Sequence, residues 1–261
     1  GDALKYAISA GAAWSSGGAL NTGRAQPPTS VMAPSSATLV GGGSIPAITA
    51  NTEKYNGTAW TEVSNINTAR RNAGGCGTVN TAVVIAGGQS PPIGALCELY
   101  NGTSWTEVNN LNTSKTGIAA GGAGSSTAGL LTGGYVGPPN ASENESWNGT
   151  CWTELNNLNT AKQSPAQFGT QTGGYSTTYL GETETWNGTS WTEVNNINTA
   201  RGWFTGGGST TAGLVFGGTT GSVTANTEKW DGTCWTEVAD LATARDSLGG
   251  GGATNTAAIA V

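Results

Sequence analysis

Short apolar runs recur along the chain at 82–86, 128–131, 212–216 and 257–261, each set between glycine-rich or polar segments. Near-continuous apolarity over so few residues predicts a strand buried on both faces. A glycine-rich stretch precedes each run, at 74–75, 121–122, 206–208 and 249–252. Such small residues suit a strand crowded against other backbone. Two further short strands follow, as in 227–230 and 233–238, joined by Asn-Gly or Asp-Gly at 56–57, 101–102, 148–149, 187–188 and 231–232. These dipeptides are strong hairpin signals and predict type I′ turns, which need positive φ at both central residues. The unit is therefore four antiparallel strands, A to D.

A tryptophan opens the D segment of every unit: Trp14, Trp60, Trp105, Trp152, Trp191 and Trp235. The intervals are 46, 45, 47, 39 and 44 residues, and the two chain ends together supply 40 more, so the repeat fills all 261 residues. A strand-rich period in the forties predicts a β-propeller with one blade per repeat. The expected fold is all-β, a single six-bladed propeller over 1–261 with four antiparallel strands per blade. Its blades are 21–65, 66–110, 111–157, 158–196, 197–240, and one closed by 1–20 with 236–261. There Leu4-Lys5-Tyr6 matches Glu53-Lys54-Tyr55, so N- and C-terminal strands are expected to pair and leave no free edge.

Composition narrows the function. The net charge is −6, with 43 glycines and no histidine. An acidic balance argues against nucleic acid and anionic membrane surfaces. No apolar run approaches the roughly 20 residues of a membrane span, and Gly1 begins no signal-peptide pattern. Serine or cysteine nucleophiles would lack their usual base, and no cluster has metal-site spacing. We expect no enzyme, no metal and no cofactor. Cys151 and Cys234 share one repeat position two blades apart, while Cys76 and Cys97 fall on non-neighbouring strands. All four are read as unpaired buried or semi-buried fillers. The Asn-Gly-Thr tripeptides match a glycosylation acceptor, but the turn explains them, and Asp231 breaks the match.

A di-glycine ending strand B, an aromatic late in strand C, a tryptophan about five residues on and a basic residue about ten further resemble the kelch repeat over the whole chain. The departures are Gly1-Asp2 in place of the sixth di-glycine and a longer C–D turn before Trp14. The phrase Trp-Asn-Gly-Thr-x-Trp-Thr-Glu-Val-Asn-Asn also resembles repeat segments in structural and tail proteins of marine bacteriophages. That resemblance implies a virion-associated or extracellular setting.

Six of the ten cations hold one repeat position: Arg24, Arg70, Lys115, Lys162, Arg201 and Arg245. At the start of strand A they are expected to ring the mouth of the central channel, where matching basic positions of kelch proteins often line the ligand site. The alternative is that each caps loop carbonyls or pairs with an acid. Ten acids hold two more positions, Glu53, Glu98, Glu145, Glu184 and Glu228 on strand C and Glu62, Glu107, Glu154, Glu193 and Glu237 on strand D. Both sets are read as rim charges. Departures from the repeat mark one sector. Trp203 stands where other units have Asn72, Gly117, Ser164 and Ser247, while Tyr135 and Tyr175 follow di-glycines where others carry Gln89 and Thr219. Unit four is shortest, its A–B region compressed between Lys162 and Gly173. Tyr179 completes the sector. Aromatic faces beside polar groups suit sugar and peptide ligands. The expected function is non-enzymatic recognition of a host-surface glycan or protein. The alternatives are a structural virion spacer and a multivalent lectin with sugar sites between blades.

Overall fold

The computed structural model describes residues 5–8, 14–29, 32–118, 121–138 and 140–261. They contain strands and turns and no helix. Gly1-Asp2 and Leu4 of the sequence comparison lie outside the described residues. The strands form small antiparallel sheets in a propeller arrangement. Five sheets have four strands each. Four of them run in chain order, three being Gly74–Val79, Ala82–Ala86, Cys97–Tyr100 and Trp105–Val108; Ala166–Thr170, Gly173–Thr177, Thr183–Trp186 and Trp191–Val194; Thr205–Ser209, Ala212–Phe216, Thr227–Trp230 and Trp235–Val238. A fourth comprises Ala123–Gly124, Gly129–Thr132, Asn144–Trp147 and Trp152–Leu155. The fifth joins both ends of the chain, with Lys5–Ile8 between Ser15–Ser16 and Ala257–Ala260, and Gly250–Thr254 beyond.

Among the described residues the four-stranded blades therefore number five rather than the six expected. Unit 21–65 gives a three-stranded sheet of Leu39–Gly41, Thr52–Tyr55 and Trp60–Val63, with a small hairpin, Ser44–Ile45 against Ala47–Ile48. The reason is local. The segment due to form strand A contains Pro27 and Pro28, which have no N–H to donate. Among the described residues of this segment, one bridge of the ladder is present, Thr29 to Val40.

Inner strands of successive sheets pack side by side, and glycine makes that approach possible. A Cβ on Gly207 would lie 2.3 Å from the Gly252 nitrogen of the next inner strand. Thr29 spans the remaining gap: its Oγ1 donates to Gly250 O at 3.1 Å, and its carbonyl oxygen would sit 2.4 Å from a Cβ on Gly75. Farther out, the marker tryptophans pack against an aromatic of the adjoining strand, Tyr100 with Trp105 at 5.0 Å and Trp147 with Trp152 at 5.2 Å between ring centroids. Asparagine side chains then tie one sheet to the next, Asn109 Nδ2 to Thr150 O at 2.9 Å and Asn195 Nδ2 to Thr233 O at 2.8 Å.

The C–D turns depart from type I′. Only the glycines have positive φ (Gly57 +96°, Gly102 +96°). Each turn is instead closed by the side chain of its first residue: Asn56 Oδ1 accepts from the N–H groups of Thr58 and Ala59, both at 2.9 Å. Asn101, Asn148, Asn187 and Asp231 do the same. The side-chain oxygen organises the loop, so the asparagine keeps an ordinary φ.

All four cysteines are free, but only two are fillers. Cys76 and Cys97 are buried, and burial pushes both thiols up to about 12. Cys151 and Cys234 are exposed in C–D turns because strand D begins one residue later. Ellman's reagent is accordingly expected to titrate two thiols in the folded protein and four after denaturation. Cys234 should react more slowly than Cys151 near pH 8, since the Asp231 carboxylate raises its thiol. Rapid reaction of all four in the native state would refute this packing.

Candidate functional site

The cation ring is not a surface feature. Arg24, Arg70, Lys115, Lys162 and Arg201 are each buried against a strand-C glutamate. Arg70 Nη2 lies 2.5 Å from Glu98 Oε1, Lys115 Nζ 3.0 Å from Glu145, Lys162 Nζ 3.0 Å from Glu184, and Arg201 Nη1 2.5 Å from Glu228. Arg24 pairs with Glu53 in the same way. Arg70 also donates to the carbonyls of Thr68, Gly87 and Leu96. Glu98 in turn accepts from the N–H groups of Asn67 and Thr68, at 2.6 and 3.2 Å. Each pair thus pins the loop entering a blade to that blade's third strand. Desolvation holds Lys162 and Arg24 below their ordinary values, and the paired carboxylates oppose the shift. The strand-C acids are therefore internal ties rather than rim charges. The strand-D set, Glu62, Glu107, Glu154, Glu193 and Glu237, does face solvent. Arg245, only half buried, has no such pair among the described residues.

Two residues beyond each cation the backbone turns left-handed, at Gln26, Asn72, Gly117, Ser164, Trp203 and Ser247, with φ from +48° to +57°. The units are linked head to tail here. Gln26 N donates to Ser247 O at 2.9 Å, Ser247 N to Trp203 O at 2.9 Å, Asn72 N to Gln26 O at 3.1 Å, and Ser164 N to Gly117 O at 2.7 Å. Side chains of Gln26, Asn72, Ser164, Trp203 and Ser247 line a small axial depression of about 30 Å³. Gln26 Oε1 and Ser164 Oγ are buried there without a hydrogen-bond partner.

Beside that depression is a second cleft of about 100 Å³, lined by Gln163, Ser164, Tyr179, Gly202 and Trp203. Trp203 is 36% exposed and Tyr179 50% exposed, whereas the other nine tryptophans are at most 7% exposed. Of the expected sector, Trp203 and Tyr179 come together, whereas Lys162 and Arg201 are buried in their ion pairs and do not line the cleft. Arg201 also stacks on the Phe204 ring, 5.4 Å from its centroid. Tyr135 is half buried in a bridge to Thr116, away from the cleft.

Tyr175 is wholly interior. Gly173-Gly174 does not end strand B in this unit; it begins it, so Tyr175 packs at 5.1 Å on Phe168 and 5.6 Å from Trp235. Burial raises its hydroxyl far above the usual range. The A–B turn is the ordinary pair Gln171-Thr172, so the shortening of unit four falls in the next loop, 178–182. That short loop is what presents Tyr179 beside Trp203. Sequence reasoning missed Gln163 and Gln26, both polar and without motif; the spacing of Gln26 from Arg24 was the available signal.

No metal-binding cluster occurs among the described residues. The marker tryptophans are buried, and the strand-C glutamates Glu53, Glu98, Glu145, Glu184 and Glu228 are held in internal ion pairs. No protein family matches the sequence, and no curated protein matches it either.

Proposed function

We propose that this chain is a non-enzymatic recognition domain that binds a host-surface glycan in the cleft between Tyr179 and Trp203. A sugar ring would stack on the two aromatic faces while Gln163 and Ser164 supply hydrogen bonds. The observation that carries this reading is the conformation of Trp203. A bulky aromatic side chain at φ +56° sits in strained backbone, at a position where the repeat otherwise carries glycine, serine, asparagine or glutamine. Folding does not call for tryptophan there, and the ring is exposed. Strain retained at an exposed aromatic is the mark of a binding position. In this reading the three-stranded sheet is a sixth, degenerate kelch-like blade. The Asn-Gly-Thr-x-Trp phrasing supports placement on a phage virion or tail, outside the cell.

The test is a glycan array probed with wild-type protein and Trp203→Gly. The variant is expected to be more stable by about 1 kcal/mol, because glycine relieves the left-handed strain. It should bind roughly thirtyfold more weakly, the effect of losing one aromatic anchor worth about 2 kcal/mol. Unchanged binding would remove the cleft as the site. Loss of cooperative melting would assign Trp203 to the fold.

A further inference from the structure

Five units share one buried contact, and among the described residues the sixth carries its cation without the acid. The template is a matter of register. Five residues beyond the cation, a strand-A residue pairs with a strand-B residue, which pairs with the glutamate. Gly75 follows Arg70 and pairs with Ile85, which faces Glu98. Gln167 follows Lys162 and pairs with Ser176, which faces Glu184. Gly206 follows Arg201 and pairs with Val215, which faces Glu228. In the terminal blade Gly250 follows Arg245 and pairs with Ala260, which faces Lys5. A lysine therefore stands where the other blades place glutamate, one residue on from the Leu4 that sequence comparison would assign. The asparagine of the entering loop (Asn67, Asn112, Asn159, Asn198) is also replaced, by Ala242.

The consequences are visible at Arg245. Its counterparts are 0–1% exposed in their side chains, whereas Arg245 is partly exposed. Its Nε and Nη2 are nonetheless buried and have no hydrogen-bond partner. The nearest acids in sequence do not supply one: Asp240 Oδ1 accepts from Thr227 N at 3.1 Å, and Asp246 forms no ion pair among the described residues. Ala242 and Thr243, whose equivalents donate backbone N–H groups to the glutamate, are exposed.

We infer that Arg245, with the N–H groups of Ala242 and Thr243, is a binding site for an aspartate or glutamate side chain of another polypeptide. The other blades show what this set of donors holds: a carboxylate whose two oxygens divide between the guanidinium and two successive backbone amides. Unpartnered buried guanidinium nitrogens are costly, and a carboxylate satisfies them with short, charge-assisted bonds. A polypeptide is favoured because every internal occupant is a glutamate delivered by an extended segment. The site is separate from the Tyr179–Trp203 cleft and does not depend on it.

The experiment is a titration of the full chain with sodium acetate and with the capped peptide acetyl-Gly-Glu-Gly-amide, following the Arg245 Nε–H resonance at constant ionic strength. Both are expected to give saturable shifts that weaken at least tenfold in Arg245→Gln. Lys5→Glu supplies the missing acid from within, and should abolish both responses while raising Tm. A shift no different from that given by chloride, or one unchanged in Arg245→Gln, overturns the site. Response to acetate but not to the peptide overturns the polypeptide assignment. Binding that appears only in Asp2→Asn would mean that the chain fills the cradle itself, which overturns it as a partner site.

Discussion

Glu98→Ala is expected to destabilise the protein by about 3–5 kcal/mol, enough to remove much of the stability of an ordinary domain. The glutamate holds Arg70 Nη2 at 2.5 Å and accepts two backbone N–H groups, with both side chains essentially sealed from water. Removing it leaves a guanidinium buried without its counter-charge and frees the loop at Asn67-Thr68. The pair is nevertheless not a large net source of stability, because both ions are desolvated to form it. The double variant Glu98→Met with Arg70→Met should therefore recover the part of the loss due to the unpaired charge, while the backbone groups bonded by the pair at Asn67, Thr68, Gly87 and Leu96 stay unsatisfied. Urea unfolding of the two single variants and the double gives the coupling directly. A single-variant cost below about 1 kcal/mol, in the range of exposed pairs, would mean that the pair is solvated in solution. Added salt should change little, since buried charges are weakly screened.

Gly207→Ala is expected to cost about 3 kcal/mol or more and to disrupt packing between two blades. A Cβ at this position would lie 2.3 Å from Gly252 N, and 2.8 Å from both Gly251 C and Gly252 O, all of them backbone atoms. Side chains can rotate away from an added methyl group, but two paired strands cannot. Relief requires the inner strands Thr205–Ser209 and Gly250–Thr254 to move apart, and each is held within its own sheet. Gly173→Ala is the control. Its nearest neighbour would be Thr170 Oγ1 at 3.4 Å, an ordinary contact, so its effect should stay within about 0.5 kcal/mol. Equal melting temperatures for the two variants would show that the inner strands are less closely packed than described.

Much of the architecture was legible because it is written in short-range patterns. Apolar runs bounded by glycine gave strands A and B, and the marker tryptophans gave the period. The Asn-Gly and Asp-Gly pairs located five C–D hairpins, although the turn is built by the side chain of its first residue and not by two left-handed residues. Pro27 and Pro28 were equally plain in the sequence; they lack N–H donors where strand A is due, and unit 21–65 has three strands in its sheet among the described residues. The aromatic cleft was only partly legible. Trp203 stood out as a break in the repeat, but Gly173-Gly174 serves equally well to open a strand or to close one. Pairing with Thr170 and Gly169 settled that choice and took Tyr175 into the core.

The charges divide the two kinds of information most clearly. Sequence alone determined that a cation and an acid recur once in each of five units, at fixed places relative to the tryptophan. It could not say that they meet, because Arg70 and Glu98 are 28 residues apart and the same spacing fits a solvated rim. Only the folded blade, which lays strand C beside the loop leading into strand A, turns two surface-like patterns into one buried bond. The same register leaves Arg245 facing the position of Lys5, a mismatch carried by strand pairing across the two ends of the chain and by no local motif.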